Sequence, residues 1–382
     1  MSHNPAPQPH RSCILVRTPL ATLIDLPLSL SSPPGQITRS TTPLAHPFPA
    51  PKTTVSPAND EEADLIARIE AALASLRSID AAISWHHPRR HTSPPPAEEL
   101  DYRGSGALLS STSGYTPDIE QEPILLSASA EEENFSDLSE LYLVPIVNCS
   151  QDRWVRLRIL HPAPAKVFCV PPNSGFTLGP LSTRLLVGQG EVDFLILDPP
   201  WPNASAKRKR GYRTENRFAI WGLLSELRVG EVVKAGGVVA VWVTNKKGIW
   251  EGVEQWLKEC GCIIEATWWW VKVTGTGDPV VPLTGGVGGR KAWEALVFAR
   301  RGDSVEVRGE KRFEDRILVS VPDLHSRKPG VKELVEEYLP VGYKGAEVFG
   351  RGLTEGWVTF GDECLKWNWE GWWVSEEVED GA

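Results

Sequence analysis

The chain has no apolar run close to the roughly 20 residues that a membrane-spanning helix needs, so no such segment is expected. It also lacks the basic-then-apolar order of a secretory leader. Met1 to Arg11 is polar, and the stretch from Ile14 to Leu30 is interrupted by Arg17, Asp25 and prolines. Acid is scarce over the first 58 residues, which leaves a mitochondrial presequence as the minor alternative to an unstructured tail. The chain is read as intracellular. Cysteine is sparse and unpatterned: Cys13, Cys149, Cys169, Cys260, Cys262 and Cys364 include one CxC with no second pair nearby. Reduced, partly buried thiols are expected, and no metal. No internal repeat is present.

What is present divides the chain. Residues 1–58 are rich in Pro, Ser and Thr and read as disordered. From Asn59 to Ser84, Leu65, Ile66, Ile69, Leu73, Leu76 and Ile79 recur at helical spacing behind Asn59 and a cluster of acids. This amphipathic helix is suited to packing or to a protein partner. Residues 85–135 return to Pro, Ser and Glu, so the region 1–140 reads as low-complexity with one helix. A globular domain is expected over 141–370, followed by an acidic tail, 371–382. Of 16 tryptophans, only Trp85 and Trp154 precede Trp201.

Within that domain strands and helices alternate. Val192 to Leu197 is a continuous apolar run, as expected of a parallel strand buried on both faces, and Gly237 to Thr244 is a second. Ile249 to Cys260 and Val331 to Leu339 read as helices. Ile263 to Val273, Ala292 to Ala299, Ile317 to Val321, Ala346 to Phe349 and Trp357 to Phe360 read as strands. The pattern implies an α/β fold, a mostly parallel sheet with helices on both faces. In Trp268-Trp269-Trp270 the first and third rings share a face and core packing is expected.

The most informative segment is Val192-Asp-Phe-Leu-Ile-Leu-Asp198-Pro199-Pro200-Trp201. Open α/β sheets bind ligands at the carboxyl ends of their strands, which is where Asp198 falls. The chemistry suits an exocyclic amine. The lone pair of adenine N6 is delocalised into the ring and is a poor nucleophile. A carboxylate (Asp198) and a backbone carbonyl (Pro199) that each accept one N–H localise that lone pair toward an incoming methyl. Pro199 and Pro200 stiffen the acceptor pair, and Trp201 offers a face for base stacking. A strand-ending turn is the alternative. A second feature, Ala346-Glu347-Val348-Phe349-Gly350-Arg351-Gly352, is a strand running into glycines that permit close backbone approach.

These segments resemble the MT-A70 family of adenine-N6 methyltransferases. Asp198-Pro199-Pro200-Trp201, Leu324-His325-Ser326-Arg327-Lys328-Pro329 and Glu347-Val348-Phe349-Gly350-Arg351 carry the resemblance. Trp242-Val243-Thr244-Asn245, Trp268 to Lys272, Asn216-Arg217-Phe218 and Ser320-Val321-Pro322 are closest to its methyltransferase-like protein 4 branch. The resemblance covers about Leu157 to Trp367. It implies a Rossmann-like, S-adenosyl-L-methionine-dependent domain with permuted motif order, the catalytic motif preceding the cofactor glycines. It implies that Lys328 meets the methionine carboxylate, that Glu347, Phe349 and Arg351 line the ribose and adenine side, and that Asp362 and Glu363, which stand where the family usually has Asn and Gln or Glu, also contact the cofactor, Asp362 accepting from ribose hydroxyls. Pro180 stands about where an acid reading the cofactor's adenine is expected.

Substrate contacts are expected from Lys207, Arg208, Lys209, Arg210 and Tyr212, a basic and aromatic loop within ten residues of Asp198, and from Asn245. A nuclear-import signal is the alternative for the basic run, and a nuclear location is expected. Gly285 to Lys291 lacks the spacing of a phosphate loop and reads as an active-site loop in which Arg290 or Lys291 touches substrate. The net charge of −9 argues against a nonspecific nucleic-acid coat but not against a local basic patch. The expected activity is N6-methylation of adenine in nucleic acid, RNA before DNA, with 2′-O-methyladenosine in small nuclear RNA as one target. A non-catalytic nucleic-acid-binding subunit is the alternative. Methylation of a protein amide ranks last, because enzymes of that kind show Asn-Pro-Pro-Tyr.

Overall fold

A computed structural model describes residues 11–49, 59–79, 83–89, 122–127, 131–181, 190–201, 217–246, 248–284, 290–302 and 311–375. In chain order the strands are β1 (Ile14–Arg17), β2 (Ala21–Ile24), β3 (Gln36–Thr38), β4 (Ile124–Leu126), β5 (Glu132–Phe135), β6 (Pro145–Asn148), β7 (Val155–Ile159), β8 (Lys166–Val170) and β9 (Ser174–Leu178). They continue with β10 (Val192–Leu197), β11 (Val233–Val243), β12 (Cys262–Lys272), β13 (Trp293–Arg301), β14 (Arg316–Ser320), β15 (Gly345–Val348), β16 (Trp357–Gly361) and β17 (Trp373–Ser375). The helices are α1 (Asp60–Ile79), α2 (Arg217–Glu226), α3 (Val229–Val232), α4 (Trp250–Glu259) and α5 (Lys332–Val335).

Among the described residues one sheet holds twelve strands in the order β1-β2-β14-β12-β13-β11-β10-β15-β16-β9-β6-β4. It is mainly parallel, and β13 runs antiparallel to both neighbours. β10 lies between β11 and β15 and is parallel to both. The chain leaves β10 toward β11 and returns on its other side as β15. That reversal opens a crevice at the carboxyl ends of these strands, the ligand position in open α/β sheets.

The apolar runs are buried on both faces, as their continuity requires. On one face Leu195, Leu197, Val239 and Val241 pack under Ile220 and Leu224 of α2 and Val253, Trp256 and Leu257 of α4. On the other, Phe194, Ile196, Val238, Ala240 and Trp242 pack with Trp268, Trp270, Leu334 and Val335. Trp268 and Trp270 share that face and are core, while Trp269 turns to the opposite side and stacks on Trp250 at 5.7 Å.

The N-terminal region departs from its compositional reading as disordered. β1 and β2 extend the sheet, β2 pairing with β14, and Cys13, Leu23, Ile24 and Leu26 are buried. Composition measures whether a segment can bury a core of its own. This one borrows the core of the domain. Asp25 is buried too, accepting from the backbone N–H of Leu28 at 3.1 Å and of His87 at 2.8 Å. Asn59 caps α1, accepting from the Glu62 N–H at 2.9 Å. The apolar stripe of α1 packs on Val271, Val273, Ile317 and Val319, so it is a packing helix whose apolar face is already covered, not one that presents that face to a partner. Lys291 pairs with Glu62 of α1 instead of reaching for substrate. The tail differs as well: Trp373–Ser375 forms β17, paired antiparallel with β3. Lys207, Arg208, Lys209, Arg210 and Tyr212, and the glycines 285–289, lie outside the described residues.

Candidate active site

Asp198 follows β10 directly, and its backbone N–H donates to the carbonyl of Val348 at 3.2 Å, tying it to the end of β15. Pro199 closes the turn by accepting from the Trp201 N–H at 2.7 Å. Trp201, expected to be a stacking platform, is buried instead, and its indole N–H donates to the carbonyl of Trp242 at 2.7 Å. A large ring with one donor is most stable with its body in the core and its N–H on a carbonyl. The residue therefore anchors the Asp-Pro-Pro turn to the end of β11.

A cleft of about 760 Å³, counting its open mouth, begins at Asp198. Its floor carries Asp198, Trp242, Lys328, Glu347 and Arg351; its far wall carries Ser29, Ser31, Thr38, Arg327, Trp367 and Trp373. Of the residues singled out in the sequence, the structure brings Asp198, Lys328, Glu347 and Arg351 together in this cleft. Phe349 does not join them. It takes a left-handed φ of 63° and packs against the α2–α4 core. Asp362 is exposed at the end of β16. Asn245, also exposed, donates its amide to the Trp293 carbonyl.

The floor is an alternating ladder of charge. Lys272 and Lys328 both pair with Glu294. Lys328 Nζ stands 3.6 Å from Asp198 Oδ1, and Arg351 Nη1 stands 3.5 Å from Asp198 Oδ2. Arg351 Nε lies 3.0 Å from Glu363 Oε2, whose other oxygen meets Lys366 at 2.9 Å. Both oxygens of Glu363 are thus spent on cations. It fixes Arg351 in place, a different role from the expected cofactor contact. Lys328 also sits 4.9 Å over the Trp242 ring.

Burial opposes charge on Lys328, but Asp198 and Glu294 outweigh it and raise its pKa. Burial likewise acts to raise Glu294, and Lys328 and Lys272 overcome it, holding that carboxyl well below the usual range. Glu363 is lowered in the same way by Lys366 and Arg351 against its burial. Glu347 is the exception. Burial and the neighbouring Asp198 charge push it up to about 8, only partly offset by Arg351. At neutral pH it is mostly a neutral acid, so it donates a hydrogen bond as well as accepting one. Four cations then stand against three carboxylates, leaving an excess of positive charge.

Glu294 was missed in the sequence. Its signal was an acid inside an otherwise apolar buried strand, directly opposite Trp270 and two residues from the register of Lys272. Such a group is retained only with a partner. Gly350 was noticed for a different reason from the one the fold gives. A Cβ there would lie 2.6 Å from Thr359 Cγ2 and 2.9 Å from Glu347 Cδ, so strand packing demands glycine.

The MT-A70 family model matches residues 192–363, which includes the charge ladder from Lys272 to Glu363. The chain is 36% identical over 330 residues to the N6-methyladenosine RNA methyltransferase MTA1 of Cryphonectria parasitica, covering 81% of this chain and 90% of that one. It is 31% identical over 210 residues to the N(6)-adenine-specific methyltransferase METTL4 of Mus musculus, covering 52% and 43%. To the DNA N6-methyl methyltransferase of Caenorhabditis elegans it is 29% identical over 238 residues, covering 59% and 63%. A match over nine-tenths of one relative, with the family's motifs gathered at one crevice, means that the chain belongs to the MT-A70 family.

Proposed function

We propose that this protein transfers a methyl group from S-adenosyl-L-methionine to N6 of adenine in nucleic acid, with RNA the favoured substrate. The observation that carries the reading is Asp198, held on a proline-stiffened turn at the switch point of the sheet with Lys328 and Arg351 on its two oxygens. The RNA preference is supported by the relative with the widest coverage among those above, whose name specifies RNA.

The donor set suits the cofactor. An amino-acid head group needs a cation for its carboxylate and an acid for its ammonium, and Lys328 and Asp198 stand 3.6 Å apart in one cleft. When bound, S-adenosylmethionine supplies a methyl group on a sulfonium. The rest is the work of the chain. A carboxylate offers about four lone-pair sites, and the cations at 3.5 and 3.6 Å hold Asp198 loosely enough to leave acceptor capacity for one N–H of the adenine amine. The Pro199 carbonyl, already accepting from Trp201, has a second lone pair for the other N–H. An amine that gains a methyl must shed a proton, and Asp198 is the base in reach. The Trp201 anchor keeps both acceptors in register. Because extruding a base from a duplex costs a few kcal/mol, unpaired adenines are the better substrates.

The test is transfer of radiolabelled methyl groups to matched single-stranded RNA, the same RNA with 2′-O-methyladenosine, and DNA, by the native chain and by Asp198→Ala. Transfer to an adenine-containing strand that disappears in the variant is expected. Cofactor binding without transfer to any of the three overturns the reading.

A further inference from the structure

The far wall of the cleft holds a cation that the floor chemistry does not use. Arg327 is 2% exposed. Its Nη1 donates to Asp323 at 2.6 Å and to the backbone carbonyl of Arg39 at 2.9 Å. Its guanidinium lies 4.3 Å from the Trp367 ring and 5.2 Å from the Trp372 ring. Among the described residues its Nε and Nη2 have no hydrogen-bond partner. These two nitrogens form one edge of the guanidinium, the planar fork that receives two oxygens of a single phosphate or carboxylate. Buried donors are nearly always paired, so an empty fork on a residue that lines a cleft marks a place for an acceptor that the described residues do not supply. The indole N–H of Trp373, on the same wall, is also buried and without a partner among the described residues. The carboxylates that line the cleft are Asp198 and Glu347, both on the floor.

The wall is made by the two ends of the described chain. Ser29 and Ser31 come from the N-terminal side, and Trp367 and Trp373 from the C-terminal side. The ends are joined by β3–β17 pairing and by the Arg39 N–H donating to the Trp372 carbonyl at 2.7 Å. The Ser29 hydroxyl accepts from the Gly330 N–H at 2.8 Å, three residues after Arg327.

We propose that the Nε/Nη2 fork of Arg327, with the Trp373 indole N–H on the same wall, is an oxyanion subsite that takes a backbone phosphate of the substrate strand next to the target adenine. The proposal rests on the reading of the cleft as a nucleic-acid methylation site. A carboxylate of the cofactor has the same chemistry, but Lys328 already faces Asp198 on the floor, whereas the fork lies among indole rings suited to a strand that carries bases.

Two measurements test it. In the first, Arg327→Lys keeps a cation for Asp323 and loses the fork. Affinity for a fluorescent single-stranded oligonucleotide is expected to fall about tenfold, and the slope of log affinity against log salt to flatten by about 0.7, one phosphate on a single strand. Cofactor affinity should stay within twofold. In the second, the protein is unaltered and the phosphodiesters flanking the target adenine are replaced one at a time by neutral methylphosphonates. One of them should weaken binding by a similar factor in the native chain and have no further effect in Arg327→Lys. Unchanged affinity and salt slope in a folded variant, or indifference of the native chain to every methylphosphonate, overturns the subsite. A loss confined to cofactor affinity assigns the fork to the cofactor carboxylate and overturns it too. Because oligonucleotide binding is read directly, a chain that binds strands but transfers no methyl counts against the proposed activity and not against the subsite.

Discussion

The floor of the cleft and the flank of the sheet are both built on buried strands, yet they spend burial differently. On the floor, the ends of β10, β12 and β15, the start of β13 and the segment after β14 bring together acids and bases that no core would tolerate singly, and the ladder from Lys272 to Lys366 alternates them so that each carboxylate meets two cations. On the flank, β1, β2 and α1 add mainly apolar contact: Leu23, Ile69 and Leu76 are fully buried, the Arg68–Asp315 and Arg77–Asp278 pairs lie at the rim, and Lys291–Glu62 is the partly buried pair. Stability and reactivity are therefore separable in this molecule. The floor should be sensitive in rate and tolerant in stability, and the flank the reverse.

The largest expected effect is on the floor. Asp198→Ala removes the acceptor for the amine and should lower kcat by about 10²–10³, with a much smaller change in unfolding free energy. A variant within tenfold of the native rate would mean that the ladder, and not Asp198, positions the amine. On the flank, Leu73→Ala empties a site that is 2% exposed under α1. It should cost about 2–5 kcal/mol, read by urea unfolding, and leave kcat unchanged at a temperature where the variant is folded. A fall in kcat at full stability would break the separation. Trp201→Phe lies between the two. It strips the donor from the Trp242 carbonyl, costing about 1–3 kcal/mol, and by loosening the acceptor turn it should lower kcat about tenfold. If only the melting temperature moves, the anchor is part of the core and not of the site.

The same contrast explains what could be read in advance. Val192 to Leu197 appears as β10 with the bounds its apolar run gave, and Asp198 stands where the end of such a strand must put it. Lys328, Glu347 and Arg351 were legible because each sits in a short motif with a fixed place in the chain. β1, β2 and β17 were not, because three or four residues have too little periodicity to register and their burial is supplied by distant partners. Trp201 was legible as important and misread in role. Sequence gives a ring's identity but not which of its two faces meets the core. Arg327 lies inside a recognised motif, and only its surroundings, two indoles from the C-terminal segment and the Arg39 carbonyl from the N-terminal one, make it distinctive.

The smallest effect sharpens the comparison most, because it asks whether the floor pays any cost in stability for its charge. Glu347 binds its proton more tightly in the folded chain than in the unfolded one, since burial and Asp198 raise its pKa from 4.5 to about 8. The stabilisation linked to that proton is complete below about 4.5, where both states are protonated, and is lost as pH rises through about 8. The depressed carboxyls Glu294 and Glu363 act in the opposite direction, losing their contribution as pH falls, so their influence is confined to acid. Urea unfolding at pH 5, 7 and 9 should therefore show native stability declining over the whole range, more between pH 5 and 7 than between 7 and 9, where the profile levels off above about 8. In Glu347→Gln, which keeps the shape and cannot ionise, the decline should be shallower, with the variant close to native at pH 5 and more stable at pH 9. Parallel profiles for the two proteins would place Glu347 in water, in contact with neither Asp198 nor the core. The floor would then carry no cost from its charges, and the contrast with the flank would reduce to chemistry alone.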